Sequence, residues 1–473
     1  MPTSPKYLLL LLCVIQASLS PVVASPQNND TTGKDETGHS TKPSKPAEKA
    51  GEPSSKADAP SPLIGAIQLG IANAIELASK KARKDLEIQD FSDKEIVSFP
   101  SKGSETTPPH TYGSFRFKAY APVAFNRFRE IFNVTPEEFK KSLCEKPLKA
   151  LSNSGQSGSI FFLSADDKYI IKTVQGNEIK LLNTMLPVYY SHIQKPQTLL
   201  PKFFGLFRHQ VCVQTLCKST RFIVTNNLLP SSLVIDRKYD LKGSKVLRNA
   251  GGKERRKSSP TLKDLDFDSE FKSGIYLEDR VYESLMKIIE SDSLILVSSN
   301  IMDYSILIGI HNIDKCCKEG RQECGAECRN NAKKLPEAGK DETKKLPQPY
   351  EELHGLPATN EKGERLLLFV GIIDILQRYR CIRKVQHAAA AIFCKKEEIS
   401  LNNPFFYSTR FNAYMRGKVF HKASDKGTDW ASIHFPSDEP PKDCCEIVKE
   451  EEDSEDENGL AGEFDDDKKK QDQ

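Results

Sequence analysis

Hydrophobic positions along the chain fall into blocks of different period, separated by long polar stretches. A block opening at Leu63-Ile64-Gly65-Ala66-Ile67-Gln68-Leu69-Gly70-Ile71 runs to about Leu86 with helical spacing and a basic end, Lys80-Lys81-Ala82-Arg83-Lys84. It predicts a packing or dimer helix rather than a membrane anchor. The aromatic-rich stretch 113–139 carries a second helix, around 124–132. Period-two alternation then predicts strands at 159–163, 169–174, 211–216 and 220–226, with a helix over 177–190 between the second and third. Asn226-Asn227-Leu228-Leu229-Pro230 reads as a break between a strand-rich half and a later mixed half. In that second half two apolar, strand-like frames each hold one aspartate. They are Ile301-Met302-Asp303-Tyr304-Ser305-Ile306-Leu307 and Gly371-Ile372-Ile373-Asp374-Ile375-Leu376. Burying an unpaired carboxylate is costly, so both belong at a strand end or a cleft wall.

The polar stretches divide the rest. Residues 26–62 have almost no apolar anchor and read as a disordered linker, 314–362 as a polar disordered insert, and 436–473 as an acidic disordered tail. Residues 1–25 read as a secretory signal, with Lys6 as its positive end and the apolar run 7–15 behind it. Beyond the first twenty residues no segment reads as long and apolar enough to span a bilayer. A net charge of +3 is close to neutral and gives no reason to expect a nucleic-acid partner. With 12 cysteines and Cys13 in the leader, an odd number remains. Cys316, Cys317, Cys324 and Cys328 suit either local disulfides in the insert or a metal site. Cys212 and Cys217 flank an expected hairpin that they would close covalently.

Candidate chemistry comes from the order of the parts. A small-residue turn, Ser154-Gly155-Gln156-Ser157-Gly158-Ser159, precedes a strand lysine, Lys172, and the two aspartates follow far downstream. Phosphoryl transfer needs such a set: a turn whose N–H groups cover phosphates, a lysine that pairs with them, one aspartate for the attacking hydroxyl and one for Mg²⁺. A protein kinase is disfavoured, because no His-Arg-Asp triplet precedes the aspartate.

Three motifs then stand out: Tyr239-Asp240-Leu241-Lys242-Gly243-Ser244, Met302-Asp303-Tyr304-Ser305 and Gly371-Ile372-Ile373-Asp374-Ile375-Leu376-Gln377. With them the chain resembles the phosphatidylinositol phosphate kinases. Phe115-Arg116-Phe117-Lys118-Ala119-Tyr120-Ala121-Pro122, Leu199-Leu200-Pro201-Lys202-Phe203 and Gly363-Glu364-Arg365-Leu366-Leu367-Leu368 are similar to the type I phosphatidylinositol-4-phosphate 5-kinases. The likeness covers residues 63–435. It implies an α+β, two-lobed fold with antiparallel sheets, distantly protein-kinase-like, with an N-lobe over about 63–229 and a C-lobe over about 230–435. It also implies ATP and Mg²⁺ in the cleft and a phosphoinositide on an anionic membrane as substrate. Carried over by position, Gly155, Ser157, Gly158, Ser159 and Lys172 would meet the phosphates, and Asn227, Leu228 and Leu229 the adenine. Asp303 would be the catalytic aspartate and Asp374 the metal ligand. Lys238, Asp240, Lys242 and Arg248 would border the inositol phosphate, and Arg383, Lys384 and Gln386 would read the lipid.

The chain departs from the family pattern at four places. Lys180 stands where a helix glutamate is expected to pair with Lys172, and Glu178, two residues earlier, lies on another helix face. Gln386 replaces an activation-segment glutamate, the run Ala388-Ala389-Ala390-Ala391 replaces a lysine and tryptophan, and Asn300 replaces a lysine. Two functions are therefore carried forward: a kinase acting on the 5-hydroxyl of phosphatidylinositol 4-phosphate, and a weak or inactive relative that binds phosphoinositides as a scaffold. A secretory leader would deliver the chain to the secretory pathway; unused, it would leave the chain at the cytosolic face of the plasma membrane.

Overall fold

The computed structural model describes residues 62–151, 159–195, 197–214, 216–229, 233–318, 355–376 and 404–427. The N-terminal leader and linker, the phosphate-turn residues Gly155, Ser157 and Gly158, the segment holding Arg383, Lys384 and Gln386, and the acidic tail lie outside the described residues.

Two sheets form the frame. The first has seven strands: β1 (Lys94–Phe99), β2 (Phe115–Tyr120), β3 (Lys149–Leu151), β4 (Phe161–Leu163), β5 (Tyr169–Thr173), β6 (Phe203–Val213) and β7 (Leu216–Asn226). Their order is β1-β2-β6-β7-β5-β4-β3, and every pairing is antiparallel. The second has six strands: β8 (Arg237–Leu241), β9 (Ile275–Leu277), β10 (Ser305–Asn312), β11 (Leu356–Thr359), β12 (Arg365–Ile373) and β13 (Phe420–Lys422). Its order is β13-β9-β11-β12-β10-β8. The β13–β9 pair is parallel, so this sheet is not wholly antiparallel as expected. The boundary between sheets falls after Asn226, at the break read from the sequence. The fold is α+β.

Helix α1 (Pro62–Lys80) lays Ala66, Ile67, Ile71, Ala74 and Ile75 on the outer face of the first sheet. Gly70 is needed there: a Cβ would come within 2.2 Å of the Phe117 ring. Contrary to the reading from the sequence, α1 is long and apolar enough to cross a bilayer. Its apolar stripe is instead core, and it ends at Lys80 rather than near Leu86. Helix α2 (Pro122–Ile131) turns Phe125 and Phe128 into the core on the opposite face, with Leu182 and Tyr189. Helix α3 (Pro136–Cys144) joins the α1 layer through Phe139 and Leu143 and is capped by Thr135, whose Oγ1 accepts from Glu138 N.

Helix α4 (Gly176–Ile193) covers the other face and meets α5 (Asp279–Ser298) across the lobes. One apolar core runs through both, from Leu182 and Leu200 to Tyr239, Ile306 and Ile372. A polar joint ties the same helices. His192 on α4 hydrogen-bonds Asp292 on α5, and that buried carboxylate accepts from Thr198 Oγ1 at 2.8 Å and Leu199 N at 2.6 Å. Leu199 O in turn accepts from Ile372 N at 2.8 Å, stitching the connector to the second sheet.

Two further boundaries differ from expectation. The strand expected at 211–216 is the tip of a hairpin, with Gln214 at φ 54° and a Cys212–Cys217 disulfide joining β6 to β7. The tip residues Val213 and Leu216 are apolar and exposed, so alternation runs through the turn and hides it. The polar insert is also shorter than read, since a helix covers Ile313–Lys318 and β11 begins at Leu356. Cys316 is buried, and no metal-binding cluster occurs among the described residues.

Candidate active site

Register alone brings three charged residues to one edge of the second sheet. On β10, Ser305 pairs with Ile373 of β12, and Ile306 pairs with Leu241 of β8. Asp303 precedes β10, Asp374 follows β12 and Lys242 follows β8, so all three leave the ladder at the same end. Both aspartates adopt left-handed backbone, φ 66° at Asp303 and 61° at Asp374. That conformation is sparsely populated outside glycine and clusters at functional sites, with asparagine and aspartate its commonest other occupants. Their side chains stay 40% and 45% exposed, open to the cleft.

Above this edge stands Lys172 on β5, its side chain 19% exposed. Its Nζ lies 3.8 Å from Asp374 Oδ1, 4.0 Å from Glu178 Oε1 and 5.9 Å from the Phe161 ring centroid. The expected clash with Lys180 does not arise. The helix starts at Gly176, with Gln175 as its cap, so Glu178 occupies the first turn and its Oε2 accepts from Gln175 N at 2.6 Å. Two residues turn an α-helix by about 200°. With Glu178 facing Lys172, Lys180 must face away, and it is exposed.

The residues expected to border the inositol phosphate are held in different ways. Lys242 Nζ donates to the Asp303 carbonyl (2.5 Å) and carboxylate (2.8 Å), so it belongs to the aspartate's own loop. Arg248 donates through Nε to Asp264 (2.6 Å) and through NH2 to Asp240 Oδ1 (2.8 Å), and is only 11% exposed. Burial opposes its charge, yet Asp264 and Asp240 overcome that and raise its pKa. It clamps this turn, and Asp240 is one of the carboxylates it grips. Lys238, on the same strand, donates to Ser259 O at 3.3 Å, and burial pulls its ammonium below the ordinary value.

Asp264, which no sequence motif marked, organises this corner. Its carboxylate is 1% exposed and accepts from the amides of Lys242 (2.9 Å), Gly243 (2.7 Å) and Ser244 (3.3 Å) as well as from Arg248. Gly243 has φ 67°, and a Cβ there would approach Tyr414 Cβ to 2.9 Å. The turn that launches Lys242 toward Asp303 is thereby fixed from below.

The connector between sheets is locked by Asn227. Its Nδ2 donates to Asp167 O (2.9 Å) and Leu229 O (2.8 Å), and its Oδ1 accepts from Leu229 N at 3.3 Å. Leu228 lies over Gly371 and Leu229 over Gly309, where a Cβ would meet them at 2.9 and 2.5 Å. Their side chains therefore point into the second sheet, leaving connector backbone toward the cleft. Ser159, the one described member of the expected phosphate contacts in the turn, is buried beside β4. His311 is structural, hydrogen-bonding Val234 O through Nδ1 at 2.8 Å.

A family profile described as "Phosphatidylinositol-4-phosphate 5-Kinase" matches residues 142–418. The mouse type-1 alpha phosphatidylinositol 4-phosphate 5-kinase is 45% identical over 385 residues, covering 79% of this chain and 70% of that protein. The human type-1 beta enzyme is 42% identical over 391 residues, covering 80% and 72%. The matched span contains Lys172, Glu178, Lys242, Asp264, Asp303 and Asp374.

Proposed function

The chain belongs to the phosphatidylinositol-4-phosphate 5-kinase family, and on that footing we propose that it transfers the γ-phosphoryl group of ATP to the 5-hydroxyl of phosphatidylinositol 4-phosphate. The observation that carries this reading is the pairing of Lys172 with Asp374 at 3.8 Å beside Lys242 with Asp303 at 2.8 Å, on one cleft edge. Such a set can neutralise phosphates and orient a hydroxyl at the same point.

Asp303, held through both its carbonyl and its carboxylate by Lys242, orients the inositol hydroxyl and accepts its proton. Lys172, steadied by Glu178, pairs with the nucleotide phosphates, which the turn containing Gly155, Ser157, Gly158 and Ser159 covers. Asn227 fixes the connector so that its backbone, with Leu228 and Leu229, borders the adenine. The half-exposed Asp374 carboxylate is a hard oxygen donor suited to Mg²⁺. Bound there, Mg²⁺ would neutralise charge developing on the transferred group. Lys238 offers a partly desolvated cation to the 4-phosphate, and Lys242 a second. Asp240 and Arg248 act through the turn rather than on the lipid. Arg383, Lys384 and Gln386 are assigned to the lipid-reading segment.

We place this activity at a membrane surface, on the cytosolic face where ATP is available; the secretory reading rests on residues 1–25 alone. A homodimer through the N-terminal part would have to use surface other than the apolar stripe of α1, which its own sheet occupies. The scaffold reading loses one of its three supports, Lys180 facing Lys172; the other two, Gln386 and the run Ala388-Ala389-Ala390-Ala391, lie outside the described residues. The test is product analysis with vesicles of phosphatidylinositol, its 4-phosphate or its 5-phosphate. Label entering only the 4-phosphate, at position 5, is expected. Equal labelling of all three, or none, would overturn the assignment.

A further inference from the structure

The inner face of the first sheet, which also bears Lys172, carries a row of cations across three adjacent strands. Lys118 of β2 lies directly opposite Arg208 of β6, and Arg208 directly opposite Arg221 of β7. Arg116, two residues from Lys118, pairs with Gln210 and is exposed. Like charges directly opposite one another destabilise a sheet. The neighbouring positions on this face, Ile96 and Ser98 of β1 and Gln210 and Ser219 of β6 and β7, are uncharged. Glu95 belongs to the opposite face, where it takes Lys81. Arg208 Nε is buried, with no hydrogen-bond partner among the described residues. Arg208, set between two like charges with its Nε buried, is costly to keep there unless an anion reaches it.

The chain carries a polyanion of its own. Glu450-Glu451-Glu452-Asp453-Ser454-Glu455-Asp456-Glu457 bears a carboxylate at every position but Ser454. The described residues end at Gly427, and the length of the intervening 428–449 allows a reach of at most about 75 Å. A domain of this size has a radius of gyration of about 21 Å. A tethered segment of that reach meets the row at an effective concentration near millimolar. We propose that the acidic segment 450–457 docks on the Arg116–Lys118–Arg208–Arg221 face as an intramolecular cover. Occupying the sheet face that bears Lys172, it screens the row and competes with other polyanions for it; this consequence for lipid access rests on the kinase reading, whereas the docking itself does not.

The test is binding, without nucleotide or lipid. A fluorescent peptide of residues 446–459 is titrated into full-length chain whose own run 450–457 has its carboxylates changed to Gln and Asn. The same titration is made with that chain additionally carrying Arg116→Gln, Arg208→Gln and Arg221→Gln. Loss of three ion pairs, one exposed and two half-buried, should weaken the peptide about tenfold, and raising salt should weaken it more in the first protein than in the second. The native acidic run, left in place, should block the peptide. Equal affinity for both proteins overturns the proposal. So does unchanged peptide binding combined with lost sedimentation on phosphatidylserine vesicles, which would make the face a lipid contact. If the triple variant is unfolded by circular dichroism, Arg116→Gln alone, at the exposed end of the row, decides by a smaller loss in the same direction.

Discussion

At Glu178 one carboxylate serves two partners, the amide of Gln175 and the ammonium of Lys172. The two roles separate by substitution. Glu178→Gln keeps a capping side chain and should change stability by less than about 1 kcal/mol, yet lower turnover by loosening Lys172. Lys180→Ala should leave turnover unchanged, since Lys180 faces solvent. Steady-state kinetics beside thermal unfolding reads both; a large effect at Lys180 and none at Glu178 would reverse the assignment. Asp264 is more demanding. Its buried carboxylate holds Arg248 and three amides, so Asp264→Ala strands those amides, leaves Arg248 with Asp240 alone, and should cost about 3–5 kcal/mol by denaturant unfolding. The two aspartates and Lys172 were legible in the sequence because each sits in a strand-like frame. Glu178 was misjudged because its direction depends on where the helix starts, a matter of one cap. Asp264 was invisible because its partner amide at Lys242 lies 22 positions away, joined only by the fold.

Elements were read best where their pattern ends sharply. The β5–α4 unit and the β7 connector fall close to expectation, whereas the β6–β7 tip was hidden by its own apolar residues. The parallel β13–β9 pair was hidden because β13 is three residues long and its partner lies far back in sequence. It also carries a pH-sensitive group. His421 on β13 packs against Gly274, where a Cβ would come within 2.5 Å of its ring. Burial pushes its pKa down from 6.5 to about 4. The unfolded chain therefore binds a proton that the folded chain refuses, so this contribution to stability is complete above pH 6.5 and is lost as pH falls toward 4. Unfolding curves between these pH values should fall less steeply for His421→Gln than for the parent. Identical slopes would remove His421 from the acid response.

Across the whole molecule, the cleft is set by how the two sheets are tied. The continuous core supplies most of the adhesion, while His192, Thr198 and Leu199 converge on Asp292 to fix the geometry. Asp292→Ala strands these donors in a buried site and should destabilise by about 3–5 kcal/mol. Because Leu199 also holds Ile372, two residues before Asp374, the same change should lower turnover in the fraction that remains folded. A variant with lost stability but full turnover per folded molecule would limit Asp292 to a structural role. The two-lobed plan was legible from the motifs. The joint was not, because none of its polar residues belongs to a periodic pattern.

The most direct test of the central claim is transfer of labelled phosphate from ATP to phosphatidylinositol 4-phosphate vesicles by the full chain, beside Asp374→Asn of equal thermal stability. Bisphosphate product from the parent, reduced at least about a hundredfold in the variant, is the predicted result. Equal product from both, or none from folded parent, would contradict the assignment of this cleft to phosphoryl transfer.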